Sequence, residues 1–457
     1  MSLDEPIINV TQVLQLTNLD ISDNDINWSK VKMNGFRWIA IRHSRQSTTG
    51  AVNNGHNELP APSTGTVVGS LPSEAYYPHL FSPGYRNHSC DDLNQWLRDN
   101  REDSDDTNGD NERPGMSGTG MESVITVVNP FTRQLYNCQI SCDTKCAQIS
   151  ADNDMIAISN DKFLAVYCVH TNQCLNTLPF PSRCRHWNWI RHNVIVVITE
   201  REVFHWNIDV PDLKFKPELK FKVDKRLQDY QITGYKCDKT CDQWFAITSL
   251  YLDDEGEVNG CVQIHSTRNQ LSQCIDAQAF TLCEYKFIAN QMPTQVLLAA
   301  KRHQTNALKI YIIELGPIQE CNNSLISRTE VIPQLDTNDA NGLTPDFPVA
   351  IECNTDLGLI YVFSKYGALY VCDIETGALI TSALISSSVI FSTCFDSETQ
   401  TVMAIDRTGQ LLTIELYLSA FVRHLNAISK PEIAQRIQSV VDNSDDDDDG
   451  YDEVTRL

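Results

Sequence analysis

This sequence predicts an all-β fold, a seven-bladed β-propeller followed by a short α-helical linker that starts an α-zigzag. Three observations support it. Apolar runs of about four to eight residues, rich in Val, Ile, Tyr and Phe, recur in pairs bounded by Asn, Asp, Gly or Pro. The pairs restart about every 40 to 60 residues, near the period of a propeller blade. Each unit can bury only one apolar face by itself, so neighbours must stack to complete a core. Two packed sandwiches are the other all-β arrangement, and they require no fixed period.

In chain order the units are VITVVNPFTRQLYNCQI (124–140), MIAISNDKFLAVYCVHTNQCLNTL (155–178) and VIVVITEREVFHWNI (194–208). WFAITSL with GCVQIHSTRNQLSQCI (244–275) and VLLAAKR with LKIYIIELG (296–316) come next. DFPVAIECNTDLGLIYVFSKYGALYVCDIETG (346–377) and VMAIDRTGQLLTIEL (402–416) complete the series. The propeller is expected over 1–417. Within it, 46–120 is rich in Gly, Asn, Ser, Asp and Pro and reads as a disordered insertion in the first blade. From 418 to 441 the period changes: Phe421, Leu425, Ile428, Ile433 and Ile437 recur at helical spacing, with Pro431 near a helix start. The remainder, 442–457, is an acidic run expected to be a solvated, disordered tail.

A formal net charge of -23 argues against nucleic acid as a partner and against direct contact with anionic lipid. Any membrane association is therefore expected to be indirect. MSLDEPIINV has neither the basic nor the apolar part of a secretory signal. No apolar run approaches the roughly 18 residues that span a bilayer. Sixteen cysteines without such a signal read as reduced thiols in a cytoplasmic compartment.

Signatures of chemistry are sparse. GxxxxGK[ST], HExxH and GxSxG are absent, and the glycines of GMSGTG (115–120) fall in the insertion. Cys142 with Cys146 and Cys237 with Cys241 have a spacing near that of zinc ligands, but neither pair has a third or fourth ligand at fixed spacing. They read as thiols at blade edges, and no catalytic residue, metal or cofactor is expected. The aromatics of HWNW (186–189) and His205-Trp206 fit either a ligand cage or packing between blades.

Several of these segments resemble the N-terminal domain of the clathrin heavy chain family. VLQLTNLDI (13–21) is similar to its opening strand, and HWNWIRHNVIVVITEREVFHWNI (186–208) to its third blade. The 346–377 stretch resembles the sixth blade, VMAIDRTGQLLTIEL the seventh, and FVRHL (421–425) the start of its helical linker. The resemblance implies a coat component in vesicle formation, endocytosis and intracellular transport. Such a component works without catalysis, on the cytoplasmic face of coated pits and vesicles. The implied partners are adaptor proteins bearing short linear peptides, and other coat subunits where a leg is present.

By the same resemblance, Val124, Tyr136, Ile140, Ile156 and Tyr167 would form the apolar wall of a peptide groove between blades 1 and 2. The polar positions of that groove read Cys138, Ala165, Asn172 and Cys174, with Lys145 or Lys162 as substitutes. Each lost charge-assisted contact should weaken an acidic peptide by about 1.5–3 kcal/mol. Trp244, Ile264, Arg268, Leu271, Ser272 and Gln273 would form a groove between blades 4 and 5 for an apolar, Leu-rich segment. Trp28, Gln231 and Thr233 would form a pocket on the central face. Two other functions stay open at this point: a propeller enzyme with its active site in the central channel, and a scaffold independent of any coat. The sequence ends about forty residues past the last blade. It fits either a piece of a longer heavy chain or a short relative.

Overall fold

The structure is a computed structural model that describes residues 6–34, 37–46, 66–68, 121–139, 144–150, 154–171, 173–180, 182–209, 217–240, 243–303, 307–316, 326–335, 337 and 345–448. Its strands form seven antiparallel sheets, as the repeat predicts. Blade 1 contains Val31–Met33, Ile39–Gln46, Met121–Asn129 and Gln134–Gln139. Blade 2 contains Cys146–Ile149, Met155–Ser159, Phe163–Cys168 and Cys174–Pro179. Blade 3 contains Cys184–Arg191, Val194–Thr199, Glu202–Asn207 and Glu218–Lys222. Blade 4 contains Gln231–Cys237, Trp244–Leu252, Val258–Ser266 and Leu271–Asp276. Blade 5 contains Ala279–Tyr285, Thr294–Arg302, Ala307–Glu314 and Ile326–Pro333. Blade 6 contains Pro348–Asn354, Leu359–Ser364, Ala368–Asp373 and Leu379–Leu384.

Blade 7 takes three strands from late in the chain, Ile390–Asp396, Thr401–Asp406 and Gln410–Leu416. Its fourth comes from the other end of the chain: Ile8–Gln15 pairs with Gln410–Leu416 from Ile8↔Leu416 to Gln15↔Gln410. The first strands of successive blades contact one another around the centre, so the ring is closed. Thr66–Val68 adds a fifth strand outside Ile8–Gln15. Its backbone pairs with groups that the outer edge would otherwise expose. Apart from Gln46, which ends a strand, and Thr66–Val68, the range 46–120 lies outside the described residues.

Alternation along each strand sends side chains to both neighbouring blades, so most second and third strands are apolar on both faces. Leu359–Ser364 and Ala368–Asp373 of blade 6 are buried throughout. The turn between them requires Gly367, which sits at φ +87 and whose missing Cβ leaves room for the Ser386 carbonyl. Asp346 fixes the same corner: its carboxylate accepts from Phe347 N (2.9 Å), Tyr366 N (3.1 Å) and Thr337 Oγ1 (2.5 Å). The dense aromatics of blade 3 mostly serve packing. Trp187 and Trp206 are buried against Leu164 and Val166 of blade 2, and Trp187 Nε1 donates to Ser159 Oγ at 2.7 Å.

Two helices follow the ring, α1 (Leu418–Ala427) and α2 (Pro431–Asp448). Phe421, Leu425, Ala434 and Ile437 join a core cluster with Leu357, Leu359 and Ile380 of blade 6. Arg436 Nη2 donates to Asp373 Oδ1 (2.8 Å) and to the carbonyls of Leu357 (3.3 Å) and Gly358 (3.1 Å). Lys430 Nζ donates to the Leu379 carbonyl at 3.0 Å. The second helix runs past residue 441, as far as Asp448. Its packed apolar stripe carries the helix onward, and Gln438 Nε2 donates one turn ahead to Asp442 Oδ1 at 2.7 Å.

Phe421 is fully buried at this joint. Phe421→Ala should cost about 3–5 kcal/mol in denaturant unfolding; a loss under about 1 kcal/mol would mean that the helices are not docked. A second prediction concerns the blade 1–blade 7 seam, where Arg37 Nε lies 2.5 Å from Asp396 Oδ2. Burial pushes the Asp396 carboxyl up, but hydrogen bonds from Arg37, Thr399 and the Glu398 N–H outweigh it, so its pKa is net lowered. A depressed carboxyl stabilises the fold above its unfolded pKa, and that contribution is lost as pH falls through the folded value. Arg37→Met should lower stability at neutral pH and flatten its decline below about pH 4. Denaturant titrations at stepped pH will show whether the two acid limbs differ.

Candidate functional site

Three places in the ring hold the residues singled out by the sequence. Between blades 1 and 2, Ile125, Val127 and Cys138 pack against Ile149, Ile156, Ile158 and Ala165. Tyr136 and Tyr167 sit half-buried at the margin of this cluster. Tyr136 stacks on Trp38 at 5.8 Å and 27°, and meets His170 edge-on at 5.8 Å. The interface is filled by the chain's own side chains: Ile156 is 2% exposed, Ala165 1% and Cys138 6%. Val124 does not line it. Ile125 and Val127 point toward blade 2, so alternation turns Val124 to the opposite face, the one from which Val128 joins the blade 7 cluster. Ile140 and Asn172 lie outside the described residues. Lys145 is paired with Asp161 at 2.8 Å, both exposed, and Lys162 is exposed.

Between blades 4 and 5 the arrangement is more open. Register aligns Trp244, Ser266 and Leu271 in one row and Ala246, Ile264 and Gln273 in the next. These rows face blade 5, where Leu282, Leu297, Ala299, Tyr311 and Ile313 form the opposite wall. Ile264 is the buried floor, Trp244 and Tyr311 are half-buried, and Leu271 stands 40% exposed at the rim. Leu271–Asp276 is the outermost strand of its sheet, so one side of its backbone has no ladder partner. Arg268 is exposed on the turn leading into it.

Ser272 belongs elsewhere. It is one residue out of phase with Leu271 and Gln273, and its hydroxyl accepts from Gln263 Nε2 (3.2 Å) and lies 2.9 Å from His265 Nδ1. Both partners are on the blade 3 side of the sheet. Sequence reasoning missed the blade 5 wall, although alternation could have found it. Leu282 pairs with Leu297, and Leu297 with Ile313; Ala299 pairs with Tyr311.

The third place is the central channel, a cavity of about 670 Å³ lined by the first strands of the blades. Trp28 and Thr233 line it, with the Lys32 ammonium 3.8 Å from the Trp28 ring centroid. Gln231 is not among its lining residues; its Nε2 donates to the Ile232 carbonyl at 3.3 Å. His186 and Trp189 also face the channel. Burial, and then the nearby Lys32 charge, push the His186 pKa down to about 4, so its imidazole is neutral at pH 7. Of the two cysteine pairs, Cys142 and Cys241 lie outside the described residues. Among the described residues no three His, Cys, Asp or Glu side chains gather as metal ligands would. Nor is any helix among them long and apolar enough to cross a membrane.

No family model matches the chain. It is similar to the clathrin heavy chain of Drosophila melanogaster, 26% identical over 299 residues, which is 65% of this chain and 17% of that one. It is 25% identical to clathrin heavy chain 2 of Homo sapiens over 319 residues, 70% of this chain and 19% of that one. It is 27% identical to a probable clathrin heavy chain 1 of Caenorhabditis elegans over 286 residues, covering 62% and 16%. The matched region is thus less than a fifth of the length of these relatives. The closed seven-bladed ring and these matches together support a likeness to the N-terminal propeller of clathrin heavy chains, in a divergent form.

Proposed function

We propose that this propeller is the peptide-capturing part of a clathrin-type vesicle coat component, and that it works by binding rather than catalysis. Its partners are adaptor proteins, which present short apolar, Leu-rich segments to the shelf between blades 4 and 5. The observation that carries this reading is the rim at Leu271. An exposed leucine stands beside half-buried Trp244 and Tyr311, over an Ile264 floor, along a strand edge with free backbone groups. An extended peptide can add its backbone to that edge and seat alternate side chains on the apolar floor.

Each leucine that such a peptide buries contributes about 1.5–3 kcal/mol, offset by the cost of ordering the chain. Single contacts are therefore weak. Repetition in a coat raises their combined strength through effective concentration, while each link stays easy to release. Arg268 on the adjoining turn supplies the nearby positive charge for an acidic residue flanking the leucines. The blade 1–2 interface is a poor second site, because Cys138, Ile156 and Ala165 are buried in it and Lys145 is already paired. A net charge of -23 disfavours direct binding to anionic lipid, so adaptors would provide the link to the cytoplasmic face of coated pits and vesicles in endocytosis and intracellular transport.

Leu271→Asp should weaken capture of a Leu-rich adaptor peptide by about tenfold or more, equivalent to roughly 1.4 kcal/mol. Tyr167→Ala, at the blade 1–2 margin, should leave capture unchanged. Fluorescence anisotropy with labelled peptides checks both, and equal binding by Leu271→Asp and the unmodified chain would remove the basis for this site.

A further inference from the structure

The sign of charge inverts between the chain and its central channel. The chain carries -23 overall, yet among the described residues five cationic side chains line the cavity, Lys32, Arg191, Lys236, Lys365 and Arg407, against one carboxylate, Glu352. That carboxylate is already engaged: Glu352 accepts from Thr393 Oγ1 at 2.8 Å and lies 3.9 Å from Lys236 Nζ, which itself donates to Thr281 Oγ1 at 2.8 Å. Lys32 makes no hydrogen bond or ion pair among the described residues, and the Trp28 ring is its nearest partner. Burial lowers its pKa, opposed in part by the neighbouring Cys146.

The cations are spread around the ring. Lys32 belongs to the first strand of blade 1. Lys365 occupies the turn between the second and third strands of blade 6, and its N–H donates to the Phe347 carbonyl just before that blade's first strand. Arg407 occupies the matching turn of blade 7, where its N–H donates to the Val389 carbonyl and its Nη1 is fixed by the carbonyls of Asp23 (2.7 Å) and Ile26 (2.6 Å). Lys365 and Arg407 thus sit at the end of the channel where the first strands begin.

We infer that the central channel binds a small polyphosphate, held by Lys32 within the cavity and by Lys365 and Arg407 at its mouth. A cavity of about 670 Å³ falls in the range of about 300–1,000 Å³ used by small-molecule sites. Cations on separate blades match a compact ligand with several negatively charged phosphates. The carboxylates of an acidic peptide carry one charge each and are strung along a backbone. Trp189, Phe347 and Phe391 add aromatic wall. This inference stands apart from peptide capture on the rim and does not depend on it.

Calorimetric titration of the full chain with inositol hexakisphosphate, ATP and inorganic tripolyphosphate tests it. At least one probe should bind at one site per chain, with affinity falling as salt rises. Lys32→Met should weaken that binding by about tenfold or more, and Lys32→Arg should largely retain it. Lys32→Met should not lower the thermal midpoint of the free chain, because it removes an unpaired charge from an enclosed site. Should that variant fail to fold, Lys365→Gln at the mouth provides the same readout. Leu271→Asp should leave polyphosphate binding intact, which separates this site from the rim. Stronger binding by ATP than by tripolyphosphate would support the inference and assign the aromatic wall to a nucleobase. Equal or stronger binding by the two non-nucleotide probes would support it through charge alone. Three outcomes would overturn it: no saturable binding of any probe, equal binding by the unmodified chain and the Lys32 and Lys365 variants, or preference for an aspartate oligopeptide over all three.

Discussion

The structure depends on one pairing, between Ile8–Gln15 from the start of the chain and Gln410–Leu416 from its far end. Without that ladder blade 7 has three of its four inner strands, and the seam rests on the packing of Ile39, Ile41 and Val128 of blade 1 against Met403, Ile405 and Leu411 of blade 7. Once it forms, every sheet is flanked on both sides, and the alternation of each strand has two partners to satisfy. The seam is reinforced at a second level by Arg37, which reaches from blade 1 to Asp396 and Glu398 on blade 7 (2.5 and 3.0 Å). A closed ring also fixes what remains available for function: the outer edges of the sheets, the crevices between them, and the hole in the middle.

The blades themselves were legible because their signal is redundant. All seven apolar pairs read from the sequence fall on paired strands of seven separate sheets. The grooves were harder to read. Val124 and Ser272 were placed by resemblance of position, and position along a strand does not settle which face a side chain occupies. A shift of one residue sends it to the neighbouring blade, as happened to both. Gln231 shows the same limit in the channel, whereas Trp28 and Thr233 do line it. The Leu282–Leu297–Ile313 row was readable in principle, but only after the register of blade 5 was known.

Electrostatics divides the molecule in a way that composition alone hides. The sum over the chain is strongly negative, and a reading based on that sum treats the protein as a uniform acidic body. Its strands instead gather cations toward the axis. Buried histidines remain uncharged beside them: burial, and then Lys220 and Arg191, push the His205 pKa down to about 3, with its Nε2 2.6 Å from the Tyr235 hydroxyl.

The clamp between α2 and blade 6 has a mechanical consequence. Arg436 grips Asp373 and the carbonyls of Leu357 and Gly358, while Lys430 holds Leu379. Tension applied along the helices therefore enters the disc at blade 6 through these contacts and at blade 7 through the strand that leads into α1. The two middle strands of blade 6 are buried throughout, so the pull there falls on strands packed on both faces. Torque on the stem is thereby passed to two neighbouring blades of the disc.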